Sequence, residues 1–138
     1  GKYNEAAGDY AQAINLDPKA TDVPILYYSL GESLLLGRQL DYAIRAFTKA
    51  IQLNPQNGLA YANRGVAFKD KGDLMAAVSD FTVSLNLLKK QSSKEYVSQL
   101  LKETDNQLKT QEPQGVINKI FSKFPGPKSA KQWPQNLW

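Results

Sequence analysis

The sequence YYSLGESLLLGRQLDYAIRAFTKAIQLNPQNGLA, which occupies Tyr27–Ala60, is repeated in altered form by YANRGVAFKDKGDLMAAVSDFTVSL, which occupies Tyr61–Leu85. The two stretches match at a spacing of 34 residues, in the pairs Tyr27 and Tyr61, Gly31 and Gly65, Ala43 and Ala77, Phe47 and Phe81, and Ile51 and Leu85. A fixed period of this length indicates stacked helical hairpins. Such stacks expose an extended surface rather than a deep pocket, so the period predicts a binding protein rather than an enzyme.

An earlier and partial copy precedes the first stretch, and its residues stand 37 positions before their matches in that stretch. Its matches are Ala6, Tyr10, Ala13 and Pro18, which precede Ala43, Phe47, Ala50 and Pro55. This copy contains only the second helix of a hairpin. We therefore expect residues 1–20 to form a half repeat whose apolar stripe lies partly bare. Either the repeat array is cut at this point, or another segment or another chain covers the stripe.

Helix boundaries are marked by proline and glycine in the better-preserved copy. Pro24 is predicted to begin a first helix, because a proline in the first turn lacks only an N–H that would have no partner there. Gly37 is expected to end that helix, and Asn54–Pro55 to end the second one. The next copy has no closing proline, so its second helix is predicted to run from Asp73 to about Lys90.

In register, these residues resemble the tetratricopeptide repeat family. That family has an aromatic residue, Leu-Gly and a large residue in the first helix, then Ala, Phe or Tyr, Ala and Pro in the second. The matching residues are Tyr27, Leu30, Gly31, Leu34, Ala43, Phe47, Ala50 and Pro55, and then Tyr61, Gly65, Phe68, Ala77 and Phe81. The departures are Arg64 for leucine, Ser84 for alanine, and Leu88 or Lys89 for the closing proline. The resemblance covers residues 1–90 and implies an all-α superhelical stack of helix-turn-helix repeats.

The rest of the chain is predicted to contain a capping helix and a tail. Ser92 and Ser93 are candidate N-cap residues, and apolar residues then follow at helical spacing, which predicts a C-terminal capping helix over about 93–110. Residues 112–115, EPQG, are expected to break the chain. The predicted organisation is a repeat domain over 1–112, with the half repeat 1–20 and repeats 24–57 and 58–91, and a basic aromatic tail over 113–138 that contains a short amphipathic helix.

The composition argues against catalysis and against metal or cofactor binding. The chain has no histidine and no cysteine, so it lacks the commonest general base and the thiolate ligands of structural zinc. No glycine-rich phosphate loop occurs. The sequence therefore predicts no catalytic residues, no metal site and no cofactor.

Charge and hydropathy restrict the partners. Of 17 basic and 13 acidic residues, four lysines and no acid lie in 113–138, so the repeat region is formally neutral. A formally neutral repeat region argues against nucleic-acid binding, which requires clustered basic residues. No apolar run reaches the roughly 20 residues of a membrane span, and only Lys119 and Lys123 flank the short tail stripe, so membrane binding is not expected. The absence of cysteine and of a signal peptide fits a cytoplasmic protein.

The resemblance also implies a binding site. In this family the concave groove is lined by first-helix residues that do not carry the packing motif. By register these are Ile25, Tyr28, Ser29, Glu32, Leu59, Ala62, Asn63, Val66 and Lys69, with Leu35, Leu36 and Asp70 as further positions. The implied function is that of a non-catalytic protein–protein interaction adaptor and scaffold, which binds a peptide or helix of a partner in the groove.

Two alternatives stay open. One subclass of the family clamps the C-terminal carboxylate of chaperone tails, and Asn63 stands at a clamp asparagine position, although Ser29 replaces its counterpart one repeat earlier. The other alternative is a self-associating scaffold, a homo-oligomer formed through the half repeat or the tail. In the tail, exposed aromatic and apolar side chains would need a surface to pack on, either the repeats of the same chain, another protein or a second copy of the chain, and the predicted contact residues are Ile120, Phe121, Phe124, Trp133 and Trp138.

Overall fold

Six α-helices and no strands make up the part of the chain described by the computed structural model, namely the backbone of residues 1–123 and the side chains of residues 1–111. The helices are α1 (Lys2–Leu16), α2 (Val23–Leu36), α3 (Leu40–Leu53), α4 (Gly58–Lys71), α5 (Leu74–Leu87) and α6 (Gln91–Lys123). Helices α2 and α3 form one hairpin and α4 and α5 the next, and each helix from α1 to α5 packs against its neighbour in the chain. The predicted all-α stack of helix-turn-helix repeats is confirmed.

Local sequence explains where the helices begin and end. Pro24 lies in the first turn of α2. Side-chain caps begin the two helices of the next hairpin, because Asn57 accepts a hydrogen bond from the backbone N–H of Ala60 and Asp73 accepts one from Ala76. The turn after α4 uses Gly72 in a left-handed conformation, with φ of 96°, which glycine adopts without a steric penalty.

The turn after α2 differs in conformation from the turn after α4. Gly37 does cap the helix, but its φ is −77°. The left-handed residue is instead Arg38, with φ of 63°. Such a conformation is uncommon for a residue with a side chain, and the neighbouring Gly37 lies close to α1, where an added Cβ would be 3.1 Å from Asn4 Oδ1.

The two hairpins are closed by the same contact between a glycine and a phenylalanine. A Cβ added to Gly31 would lie 2.6 Å from ring atoms of Phe47, and one added to Gly65 would lie 2.7 Å from Phe81. Both phenylalanines are fully buried. The return of glycine and phenylalanine at a spacing of 34 residues therefore has a direct physical cause, because a side chain at either glycine would meet the phenylalanine ring.

Helix α1 is covered less completely than the second helices of the two hairpins. Helix α1 packs against α2, and its buried residues are Ala7 and Ile14. The apolar stripe of α1 is only half-buried, whereas its counterparts in α3 are at most 1% exposed; the residues of the stripe are Ala6, Tyr10 and Ala13, and the counterparts are Ala43, Phe47 and Ala50.

The end of the second hairpin corrects a prediction. Helix α5 ends at Leu87 rather than near Lys90, because Leu88 is extended, with φ of −68° and ψ of 139°. Leu88 packs against the core between α4, α5 and α6 instead of continuing the helix. The buried members of that core are Ala62, Ala77, Phe81 and Val97, so the start of α6 closes the last repeat as a capping helix should.

Helix α6 is longer than predicted at both ends. It begins at Gln91, so Ser92 and Ser93 lie inside its first turn rather than before it. It also continues through Pro113 to Lys123, where the sequence predicts a break between a capping helix and a short tail helix. Proline inside a helix removes one hydrogen bond and bends the backbone, but it does not always end the helix. The chain divides into two compact units, Gly1–Asp105 and Asn106–Trp138.

Candidate functional site

The predicted groove residues lie on the two first helices of the described hairpins, and we call their shared surface the inner face. Helix α2 contributes Ile25, Tyr28, Ser29 and Glu32, and α4 contributes Leu59, Ala62, Asn63, Val66 and Lys69. All of them belong to the unit Gly1–Asp105.

The centre of the inner face is a hydrogen-bonded cluster of three side chains, Tyr28, Glu32 and Asn63. The Tyr28 hydroxyl donates to Glu32 Oε1 at 2.8 Å. Asn63 Nδ2 donates to the Tyr28 hydroxyl at 3.1 Å and to Glu32 Oε1 at 3.4 Å. The cluster joins α4 to α2, so predicted positions on two different repeats are brought into direct contact.

The Tyr28 ring anchors this cluster on the core. Its centroid lies 6.0 Å from that of the buried Phe47, with the rings tilted by 56°, a favourable aromatic geometry. Burial, together with the hydrogen bond to Glu32 and its negative charge, raises the pKa of Tyr28 well above the ordinary value. Tyr28 therefore stays protonated and remains a donor to Glu32 across the physiological range.

Two apolar residues of the inner face are open to solvent. Ile25 on α2 is 66% exposed and Leu59 on α4 is 46% exposed. Leu36, at the end of α2, is also exposed, at 58%. Exposed apolar side chains beside fixed polar groups are typical of surfaces that bind peptides.

Other predicted positions are occupied by packing or by pairing within the chain. Ala62 is 3% exposed and belongs to the core against α6, and Val66 packs against the same core. Ser29 is half-buried. Lys69 contacts Glu103 of α6, with 3.5 Å between Nζ and Oε2. These residues offer a ligand less surface than Ile25, Leu59 and the three-residue cluster.

The predicted tail contacts lie outside the part of the chain whose side chains are described. Ile120 and Phe121 lie within the backbone of α6, and their side chains are outside the described part of the chain. Phe124, Trp133 and Trp138 lie outside the described residues altogether.

Nothing in the described residues forms a metal centre or a membrane span. No group of three or more acidic side chains within residues 1–111 is arranged to hold a metal ion. Nor does any helix in the described part of the chain combine the length and the hydropathy that crossing a bilayer requires.

Comparison with known proteins supports the register on which the site rests. Two family models described as tetratricopeptide repeat match the chain, one over residues 24–57 and the other over residues 46–79. The chain is 33% identical over 78 residues to mouse (Mus musculus) tetratricopeptide repeat protein 14. That match covers 56% of this chain and spans only a tenth of the mouse protein.

A solved structure has the same fold. It is the first tetratricopeptide domain of Spaghetti (RPAP3), bound to the HSP90 peptide SRMEEVD. The TM-score is 0.69 at 24% identity, over 78% of this chain and 81% of the other. The two family models and the mouse relative show that residues 24–79 belong to the tetratricopeptide repeat family.

Proposed function

We propose that this protein is a non-catalytic adaptor that holds a peptide or a helix of a partner protein on its inner face. The observation that carries the proposal is the combination of exposed Ile25 and Leu59 with the ordered Tyr28–Glu32–Asn63 cluster on the same two helices. Apolar side chains supply binding energy, and fixed polar groups supply orientation. The similarity to a solved domain that holds a peptide supports the same function.

The test is a set of charge substitutions at the exposed apolar residues. Immobilised amphipathic peptides are screened with the full chain, and the peptides that bind are titrated against variants. Ile25→Asp and Leu59→Asp should each abolish binding, because a carboxylate would have to be desolvated against an apolar ligand. Neither side chain belongs to the buried core, so the helical circular dichroism spectrum should be unchanged.

Met75→Asp is the matched control. Met75 is 65% exposed and lies on α5, a second helix, away from the inner-face helices. Binding should survive this substitution. If Ile25→Asp and Leu59→Asp bind the peptides as well as Met75→Asp does, the inner face is not the binding surface.

A carboxylate clamp is the second candidate. It is favoured by the position of Asn63 and by the fold shared with the domain that holds SRMEEVD. The discriminating probe is that peptide with a free C-terminal carboxylate, compared with its C-terminal amide. A clamp requires the free carboxylate to bind much more tightly, whereas an apolar groove does not distinguish the two.

Self-association is the third candidate, and the half-buried stripe on α1 favours it. Sedimentation velocity of the full chain tests it directly. A Tyr10→Lys variant should shift an oligomer towards monomer, because Tyr10 is the largest residue of that stripe. A monomer at all concentrations would remove this candidate.

A further inference from the structure

The inner-face cluster has used all its hydrogen-bond donors internally. The single O–H of Tyr28 donates to Glu32, and the two N–H bonds of Asn63 Nδ2 donate to Tyr28 and to Glu32. What remains are acceptors: the second carboxylate oxygen of Glu32 and the amide oxygen of Asn63. Neither accepts a side-chain hydrogen bond from any residue within the described part of the chain. A ligand that contacts this cluster must therefore bring donors.

The charge of the cluster is also uncompensated. Within residues 1–111, Glu32 forms no ion pair with a lysine or arginine. Two basic residues near the C-terminal ends of α4 and α2 already pair with acidic residues. Lys69 pairs with Glu103, and Arg38 pairs with Asp70. Glu32 is half-buried, so solvent screens its charge less than that of an exposed carboxylate.

We infer that the inner face selects a peptide that presents a lysine or arginine side chain to Glu32, and that it discriminates against a peptide with an acidic residue there. This inference rests on the proposed function, since it specifies the partner of the same surface. A cationic side chain supplies both the donors and the opposite charge. An acidic side chain would face the negative charge of Glu32, and the cluster has no free donor to offer it. This arrangement is the opposite of what a carboxylate clamp requires.

The test uses three fluorescent peptides of one amphipathic helical sequence that differ only at one central polar position, which is Lys, Gln or Glu. Their binding to the full chain is measured by fluorescence anisotropy. The Lys peptide should bind about tenfold more tightly than the Glu peptide, with the Gln peptide between them. The difference should shrink as salt is raised, because the interaction is electrostatic.

Glu32→Gln is the decisive variant. Its amide oxygen can still accept from Tyr28 and Asn63, so the cluster keeps its hydrogen bonds, while the negative charge is lost and the free acceptor oxygen is replaced by an amide donor. The three peptides should then bind within about twofold of one another, since the electrostatic discrimination has been removed. Glu5→Gln, an exposed residue of α1, is the control and should keep the order Lys, Gln, Glu.

The outcomes separate this inference from the proposed function. Equal binding of the three peptides, with Ile25→Asp still abolishing it, overturns the charge preference and leaves the adaptor function in place. Tighter binding of the Glu peptide, or an unchanged order in Glu32→Gln, also overturns the inference. If none of the three peptides binds, both the inference and the proposed function on which it rests are contradicted.

Discussion

Arg64 and Asp80 form a two-point ion pair between α4 and α5, in which Arg64 Nε donates to Asp80 Oδ2 and Nη2 donates to Oδ1, each at 2.8 Å. The third nitrogen, Nη1, donates to the Thr48 hydroxyl on α3 at 3.1 Å. The guanidinium also lies over the rings of Tyr61 and Phe68. One side chain thus links three helices at a position where the family usually has leucine, and the hydrogen bond to Asp80 raises the pKa of Arg64.

Removing only one partner of this pair should be costly. Asp80 is 5% exposed, so Arg64→Leu leaves a buried carboxylate without its counter-ion. We expect a loss of about 3 kcal/mol in the free energy of unfolding, measured by urea titration with circular dichroism.

The double variant Arg64→Leu with Asp80→Leu distinguishes the loss of the ion pair from the cost of leaving the Asp80 carboxylate buried without a counter-ion. Replacing both partners by apolar residues should recover most of the loss, because the desolvation penalty of the carboxylate disappears. A double variant that is less stable than Arg64→Leu would contradict this account.

The glycine–phenylalanine crossings give a second prediction with an internal control. Gly65→Ala should destabilise the fold by about 1–3 kcal/mol, because the new methyl group would overlap the ring of Phe81, which is fully buried. Gly8→Ala on α1 meets nothing within 4 Å. That change should stabilise by about 0.5–1 kcal/mol, since alanine favours helix over glycine.

Thermal unfolding of the two alanine variants shows the sign of each effect. Gly65→Ala should melt below the parent chain and Gly8→Ala above it. If Gly65→Ala leaves the melting temperature unchanged, α4 and α5 do not approach each other at Gly65 as closely as the structure shows.

A third prediction concerns the other departure from the family pattern. The Ser84 hydroxyl donates to the Gly58 carbonyl at 2.8 Å, and the residue is fully buried. Ser84→Ala would restore the usual residue but leave that buried carbonyl without this donor. We expect a loss of about 1–2 kcal/mol in the free energy of unfolding, although alanine is the better helix former.

Thr82→Ala is the matched control for Ser84→Ala. Thr82 is on the same helix and donates to the Val78 carbonyl at 2.8 Å, but it is exposed. Water can replace that bond, so the free energy of unfolding should change by less than about 0.5 kcal/mol. Equal effects of the two substitutions would show that the buried bond to Gly58 contributes nothing specific.

These residues also show what the sequence could and could not predict. The period places Gly31 opposite Phe47 and Gly65 opposite Phe81, because repeated packing leaves a repeated pattern. Arg64 and Ser84 are visible in the sequence only as departures from that pattern. Their partners are Asp80 and a backbone carbonyl, and no periodic signal marks either of them.

The same limit applies to the helix ends and to the inner face. Pro113 predicts a break that the backbone of α6 does not show, since a local preference does not decide a long helix by itself. The spacing of Tyr28 and Glu32, four residues apart on one helix, predicts that they are neighbours. That Asn63 would join them depends on how closely α2 and α4 approach, which is a property of the stack.

The last prediction tests the geometry of the inner-face cluster through the pKa of Tyr28. Burial and the contact with Glu32 disfavour the phenolate in the folded chain, so the folded pKa lies above the unfolded value of 10.0. The resulting stability is fully present below the unfolded pKa and is lost as the pH rises from there towards the folded pKa. Carbon NMR of the Tyr28 ring should therefore show that the phenol of the folded chain is still protonated at a pH at which the same phenol titrates in the chain unfolded by guanidinium.

Glu32→Gln separates the two causes of this shift. It removes the negative charge but leaves the burial, so the pKa of Tyr28 should fall part of the way towards 10.0 and stay above it. Glu5→Gln on α1 should leave the Tyr28 titration unchanged, because Glu5 belongs to a different helix and is exposed. If Glu32→Gln leaves the titration where it is in the parent chain, the Tyr28 hydroxyl is not held against that carboxylate, and the arrangement of acceptors on the inner face is wrong.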